Sequence, residues 1–228
     1  LMATMKSDLR LKSQPRHIEC FDNSNLQGTN PTSACVVFRN GKPSKRDYRH
    51  FNIKTVEGPD DFASMKEAVY RRYDRLYKES GEEGLPQLII IDGGKGQVSH
   101  AMEAVEELHL RGKVAVVGIA KRLEELFFPG DSLPIYLDKR SPTLKVIQNM
   151  RNEAHRFSLT HHRKKRSQSS TASILDNIPG VGEATKRKLL IEFGSVSKIK
   201  NASLEDLKTV CSGRVSQQII SFFKENKS

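Results

Sequence analysis

Residues 88–97 read LIIIDGGKGQ, and the fold turns on how this run is taken. Four apolar residues lead into Asp92, and Gly93, Gly94, Lys95 and Gly96 follow. A phosphate-gripping Walker loop needs GxxxxGK and then Ser or Thr; neither that spacing nor the hydroxyl is present. A hairpin is disfavoured, because Val98, Ala101, Val105 and Leu108 continue at helical rather than strand spacing. The run therefore reads as a strand covered on both faces that delivers Asp92 to the edge of a sheet.

Upstream, residues 16–26 alternate so that Ile18, Cys20 and Asp22 share one face, a strand whose last inward position is acidic. Residues 32–38 make a second strand, and Asn40-Gly41 is a strong hairpin signal leading to a third strand over 46–53. Pro59 and Asp60 suit the first turn of a helix over 59–79, with Phe62, Met65, Val69, Tyr73 and Leu76 predicted to form its buried face. VAVVGIA (114–120) is another buried strand, followed by a loop containing FFPGDSLP. Leu144, Ile147, Met150, Ala154 and Phe157 mark a further helix. The order βββαβαβα predicts an α/β domain with a mixed sheet and flanking helices, the order of the ribonuclease H-like fold.

The sequence divides into a helix tail and linker at 1–15, this domain at 16–160, a basic then Ser-rich linker at 161–173, and a small all-α unit at 174–228. The opening residues read as a piece of a longer protein rather than a signal peptide, because charges are spread through them with no long apolar core. Nothing approaches a membrane span. The cysteines Cys20, Cys35 and Cys211 lie far apart, which argues against structural zinc and disulfides and fits a reducing cytoplasm. A net charge of +11 and a pI near 9.6 favour a polyanion partner, of which nucleic acid is the commonest.

Asp22 and Asp92 each end a predicted core strand. In this topology the first and fourth strands are neighbours, so both carboxylates fall near the switch point where open α/β sheets place their sites. Two close carboxylates repel unless one is protonated or a cation lies between them, and oxygen ligands at a partly open site select Mg2+ or Mn2+. Such an ion suits phosphodiester hydrolysis. The glycines after Asp92 leave room for a metal and a DNA backbone, and Lys95 is a candidate phosphate contact. Taken singly, Asp22 reads equally well as an Asx turn and Asp92 as the start of an Asp-Gly turn. A third group is expected from the helix ending the domain, where either Glu153 or His155 can face the sheet; spacing does not choose between them.

In the second unit, Ile178-Pro179-Gly180-Val181-Gly182 resembles the hairpin of a helix-hairpin-helix (HhH) DNA-binding motif. Gly180, Val181 and Gly182 would bring backbone N–H groups to a phosphate, the next helix adds its dipole, and Lys186, Arg187 and Lys188 lie in its first two turns. Phosphate contacts of this kind carry no sequence preference. A second copy runs from Ser203, in capping-box spacing with Asp206, through a hairpin at 210–215 that lacks Pro-Gly. Its plain role is to pack on the first through Leu204, Leu207, Ile219 and Phe222.

Together ECFDNSNLQG, LIIIDGGKGQ, GIAKR, SPTLKVIQNMRNEAHRF and IPGVGEATKRKLL resemble the C-terminal half of the UvrC family of bacterial nucleotide excision repair. The resemblance covers nearly the whole chain from Arg16 onward. It implies a ribonuclease H-like endonuclease that incises damaged double-stranded DNA on the 5′ side of a lesion, using a divalent metal, Mg2+ or Mn2+. It also implies Asp22, Asp92 and His155 as the catalytic and metal-binding triad, which makes His155 the third group. Lys121, in GIAKR, joins Lys95 as a site-supporting or DNA-phosphate residue. The partners implied are damaged DNA, with UvrB, and UvrA on the pathway, met through a UvrB-contacting segment not visible here; a GIY-YIG nuclease domain is likewise not visible. The rival readings are a catalytically inactive DNA-binding module and another nuclease of this fold, a ribonuclease H or a junction resolvase.

Overall fold

The computed structural model describes residues 1–24, 31–56, 58–120 and 125–225, the side chains of 161–173 excepted. The chain forms two compact units, Leu1–His161 and His162–Ser228. Among the described residues no helix is long and apolar enough to cross a membrane.

In the first unit β1 (His17–Ser24) and β2 (Thr32–Arg39) pair antiparallel. Asn40 and Gly41 turn with φ of 51° and 77°, as a tight hairpin requires, and lead into β3 (Lys42–Pro43). The third strand expected over 46–53 is broken. A 3-10 turn at Lys45–Asp47 interrupts it, and β4 (Arg49–Asn52) then resumes pairing with β2. The interruption follows Pro43, which has no N–H for the ladder, and Asp47 is held there by Ser44 Oγ at 2.8 Å and Arg39 Nε at 3.1 Å.

Helix α2 (Asp61–Ser80) is capped by Asp60, whose carboxylate accepts from the backbone N–H of Phe62 and Ala63. Met65, Val69 and Tyr73 are buried as the spacing predicts, whereas Phe62 is not: the residue is 47% exposed. It sits in the first turn, where the apolar stripe runs past the end of the strands. β5 (Leu88–Asp92), α3 (Lys95–Glu107) and β6 (Ala115–Ile119) follow as expected. The loop after β6 contains a short strand, β7 (Leu126–Phe127), antiparallel to β6.

The sheet order is β3-β2-β1-β5-β6-β7, with β4 also on β2, so β1 and β5 are parallel neighbours as the crossover rule predicts. This is the ribonuclease H-like arrangement. Phe21 meets Tyr73 edge-on at 6.0 Å, and a Cβ on Gly118 would strike Val98 of α3 at 2.2 Å, so α2 and α3 cover one face. On the opposite face His50 stacks on Phe157 of α4 (Pro142–Asp176) at 3.8 Å.

Two boundaries differ from the sequence reading. Residues 1–15 are not a detached tail: α1 (Met2–Asp8) buries Met5, and Leu9 after it, in the core of the first unit, and Thr143 Oγ1 donates to Asp8 at 2.6 Å. Residues 161–173 are helical rather than an irregular linker, because α4 has no Gly or Pro after Pro142 to stop it.

The second unit contains α5 (Glu183–Phe193), α6 (Val196–Asn201), α7 (Leu204–Lys208) and α8 (Gly213–Glu225) around Leu175, Ile178, Val181, Leu189, Ile199, Leu207 and Ile219. The capping box expected at Ser203 and Asp206 is formed.

Candidate active site

The site is set by sheet register. β1 and β5 pair Cys20 with Ile90 and Phe21 with Ile91, so one step further places Asp22 beside Asp92. Both project on the face that carries Ile18, Cys20, Leu88 and Ile90, because alternate side chains of a strand share a face. Both carboxylates are almost fully buried, at 2% and 4% exposure. The row continues through Ala34 to His50 on β4, since Ala34 pairs with both Asp22 and His50. His50 was not among the sequence-derived candidates; the alternation in RDYRHFNI places it on this face, but only the register brings it into line with Asp22.

Helix α4 carries both candidates for the third group, and the structure brings His155 rather than Glu153 to Asp22. Glu153 is occupied elsewhere: Arg156 donates to it at 2.7 and 2.8 Å and Tyr48 Oη at 3.1 Å. Arg156 above all holds its carboxyl below the usual range. His155 is 55% exposed, and its Nδ1 lies 3.4 Å from Asp22 Oδ2. One turn earlier, Arg151 sends its charge to the same place. The Cys20 thiol, two residues before Asp22, is pushed well above its ordinary pKa first by burial and then by Asp92 and Asp22, with Arg151 opposing. Cys20 is thus a neutral floor beneath two carboxylates and a guanidinium.

No group of three or more His, Cys, Asp or Glu side chains among the described residues is gathered as a metal cage. His155 stands beside Asp22. The adjacent carboxylates are the available oxygen donors, and they fit an ion that fills its other positions with water or phosphate oxygen, as Mg2+ does.

The glycines after Asp92 do different jobs. A Cβ on Gly94, the N-cap of α3, would meet nothing within 4 Å, so this position is open to a ligand. A Cβ on Gly96 would come 2.6 Å from the Phe62 ring, so Gly96 is required by packing. Lys95 is exposed, but its Nζ donates to the Ser132 carbonyl and lies 5.7 Å above the Phe127 ring, tying the loop after β7 to the start of α3. Lys121 lies outside the described residues.

In the second unit Gly180 takes φ of 84°, and a Cβ there would meet Gln218 Oε1 at 2.7 Å. Gly182 is the N-cap of α5 with open space around its Cα. Arg187 and Lys188 are exposed. The Val181 side chain is buried in the core, and its backbone N–H, the group expected to reach a phosphate, donates to the Ile178 carbonyl at 3.1 Å. Lys186 is buried and held by Asp176 and Glu183, each at 2.7 Å, which also raise its pKa; two carboxylates already neutralise it.

Comparison with known proteins agrees with this division. Residues 6–159 match the family described as UvrC RNAse H endonuclease domain, and residues 175–228 match the helix-hairpin-helix motif. UvrABC system protein C of Flavobacterium johnsoniae is 62% identical over 99% of this chain and 38% of its own length. The protein of that name from Cytophaga hutchinsonii is 58% identical over 92% of this chain and 35% of its own. This chain thus spans little more than a third of these curated relatives. Among solved structures, that of human ENDOV aligns at a TM-score of 0.42 and 12% identity, over 72% of this chain and 96% of that one, a likeness too distant to carry weight. With a match that takes in the whole sheet, both carboxylate strands and the helix bearing His155, the chain belongs to the UvrC RNAse H endonuclease domain family.

Proposed function

We propose that the first unit is a metal-dependent DNA endonuclease making the 5′ incision beside a lesion in nucleotide excision repair, and that the second holds the duplex without reading its sequence. The observation that carries this is the register of Asp22 with Asp92 on adjacent parallel strands, with His155 Nδ1 3.4 Å from Asp22. Relatives named UvrABC system protein C support the pathway.

Asp22 and Asp92 would hold Mg2+ or Mn2+, which when bound supplies an activated water and stabilises charge on the phosphate. His155 turns its Nδ1 edge toward Asp22, 3.4 Å from Oδ2, which leaves Nε2, on the opposite edge, to take or give a proton. Attack by water forms a new P–O bond and breaks the bond from phosphorus to the 3′ oxygen. The products carry 5′-phosphate and 3′-hydroxyl ends. Buried Cys20, with its raised pKa, stays protonated and adds no third negative charge. In the second unit, Gly180, Gly182 and the first turn of α5 present backbone donors, with Arg187 and Lys188 as the accessible cations.

The test is a nicking assay on a pre-nicked lesion duplex with Mg2+ or Mn2+, beside an RNA–DNA hybrid and a four-way junction. Asp92→Asn is expected to abolish nicking while DNA affinity is kept. A variant that nicks as well as the parent refutes the metal site, and preference for hybrid or junction moves the chain to another nuclease type.

A further inference from the structure

Phe62 is the residue of α2 that departs from its predicted burial, and its surroundings are specific. On one side, Asn23, next to Asp22, donates its Nδ2 to the carbonyl of Asp61 at 2.7 Å, which ties the first turn of α2 to the end of β1. On the other, the ring occupies the space where Gly96 has no side chain, in the first turn of the helix that follows Asp92. The first turn of α2 is thereby tied to the end of β1, and the Phe62 ring packs on the first turn of the helix after β5. One face of the ring is stacked on His100, with centroids 5.2 Å apart and planes 15° apart. His100 is itself fixed, with Nδ1 2.9 Å from the Gly96 carbonyl; only a protonated nitrogen makes that bond, so Nδ1 is the donor. Phe62 as a whole is 47% exposed.

A scattered exposed aromatic needs no explanation. This one is held flat by a glycine, backed by an anchored imidazole, and carried on helix starts joined to the ends of the two carboxylate strands, in a chain of net charge +11. We propose that the Phe62–His100 stack is a platform for a nucleobase of the DNA strand beside the scissile phosphate. Stacking on an aromatic face accepts any base, because every base has a π-face. The platform would hold a strand in place while remaining indifferent to its sequence, as a repair incision requires. The proposal rests on the DNA-cutting reading above, and its test separates the two.

The whole chain is mixed, without divalent metal, with lesion duplexes carrying a fluorescent adenine analogue at successive positions around the incision point. Stacking on a protein ring quenches the emission. The parent is expected to quench one or two adjacent positions, and Asp92→Asn to quench them equally while failing to nick. Phe62→Leu fills the space beside Gly96 but has no aromatic face. It is expected to keep its thermal midpoint, lose the quench and raise KM about tenfold, the order of one lost base stack, with kcat within twofold. Phe62→Tyr should restore both quench and KM. If the parent nicks and Phe62→Leu matches it in quench and KM, the platform is refuted while the nuclease reading stands. If the parent neither nicks nor quenches, both fail together.

Discussion

Substituting Glu19 with Gln tests the packing that holds β1 in place. Glu19 is fully buried on the β1 face opposite Asp22. Arg72 donates to it through Nε at 3.0 Å and Nη2 at 2.5 Å, Tyr73 Oη at 3.0 Å and Cys35 Sγ at 3.5 Å, and His17 Nε2 lies 3.0 Å away. Burial alone would raise its pKa, but the bonds from His17 and Arg72 outweigh this and bring it from an ordinary 4.5 down to about 2. At about 1.4 kcal/mol per tenfold change in proton affinity, that gap is worth about 3 kcal/mol of folding free energy. Removing one partner of a buried ion pair typically costs about 3–5 kcal/mol, so the two figures agree. The sign follows from the depressed value. The contribution is complete above the unfolded pKa near 4.5 and is lost as pH falls toward 2. All five tyrosines, Tyr48, Tyr70, Tyr73, Tyr77 and Tyr136, lie in the first unit, and the chain has no Trp. Tyrosine fluorescence during urea unfolding therefore reports this unit alone. At roughly 2 kcal/mol per molar urea, Glu19→Gln should lower the midpoint by about 1.5 M at pH 7. Its stability should also fall less steeply than the parent's below pH 4.5. A midpoint within about 0.3 M of the parent, or parallel acid slopes, refutes the reasoning.

His155→Ala should cut nicking by about a hundredfold, the lower end for a lost acid–base group, with urea midpoint unchanged, since the side chain is half exposed; an unimpaired rate excludes a chemical role. Replacing Arg187 and Lys188 together by Ala should reduce the salt dependence of duplex binding, the log–log slope falling by roughly 1.8 for two phosphate contacts; an unchanged slope removes them from the interface. Lys186→Ala should leave that slope alone and lower the stability of the second unit, since the residue already serves Asp176 and Glu183. Gly180→Ala should destabilise the second unit by about 1–2 kcal/mol, because φ of 84° is left-handed and the new Cβ meets Gln218. Circular dichroism would register this while tyrosine fluorescence would not.

Alternation and topology rules made much of the first unit legible. Ile18, Cys20 and Asp22 alternate toward one face, and the crossover after α2 has one favoured hand, so Asp22 and Asp92 could be paired before any register was known. Helical period gives the direction of a stripe but not where it ends, and Phe62 lies just past the end. Lys186 looked like a phosphate contact because its neighbours are basic; its partner Asp176 is ten residues back in another helix, which spacing does not reveal. The Ser-rich composition of 161–173 suggested a linker, yet a run without Gly or Pro has nothing to end a helix already begun. Residues 153 and 155 diverge on a helix; the i,i+3 pair with Arg156 is visible in the sequence, but only tertiary contacts, Tyr48 for Glu153 and Asp22 for His155, assign them.

β1 has two chemistries that alternate by residue, the ionic cluster around Glu19 on one face and the carboxylate site around Asp22 on the other. Its genetics should alternate too. Lesions at the odd positions 17, 19 and 21 should deplete the protein, giving recessive, temperature-sensitive loss. A lesion at Asp22 should leave a folded chain that still occupies damaged DNA without cutting it, and so should be dominant over a functional copy. Within one strand of eight residues, the parity of the position would decide the class of allele.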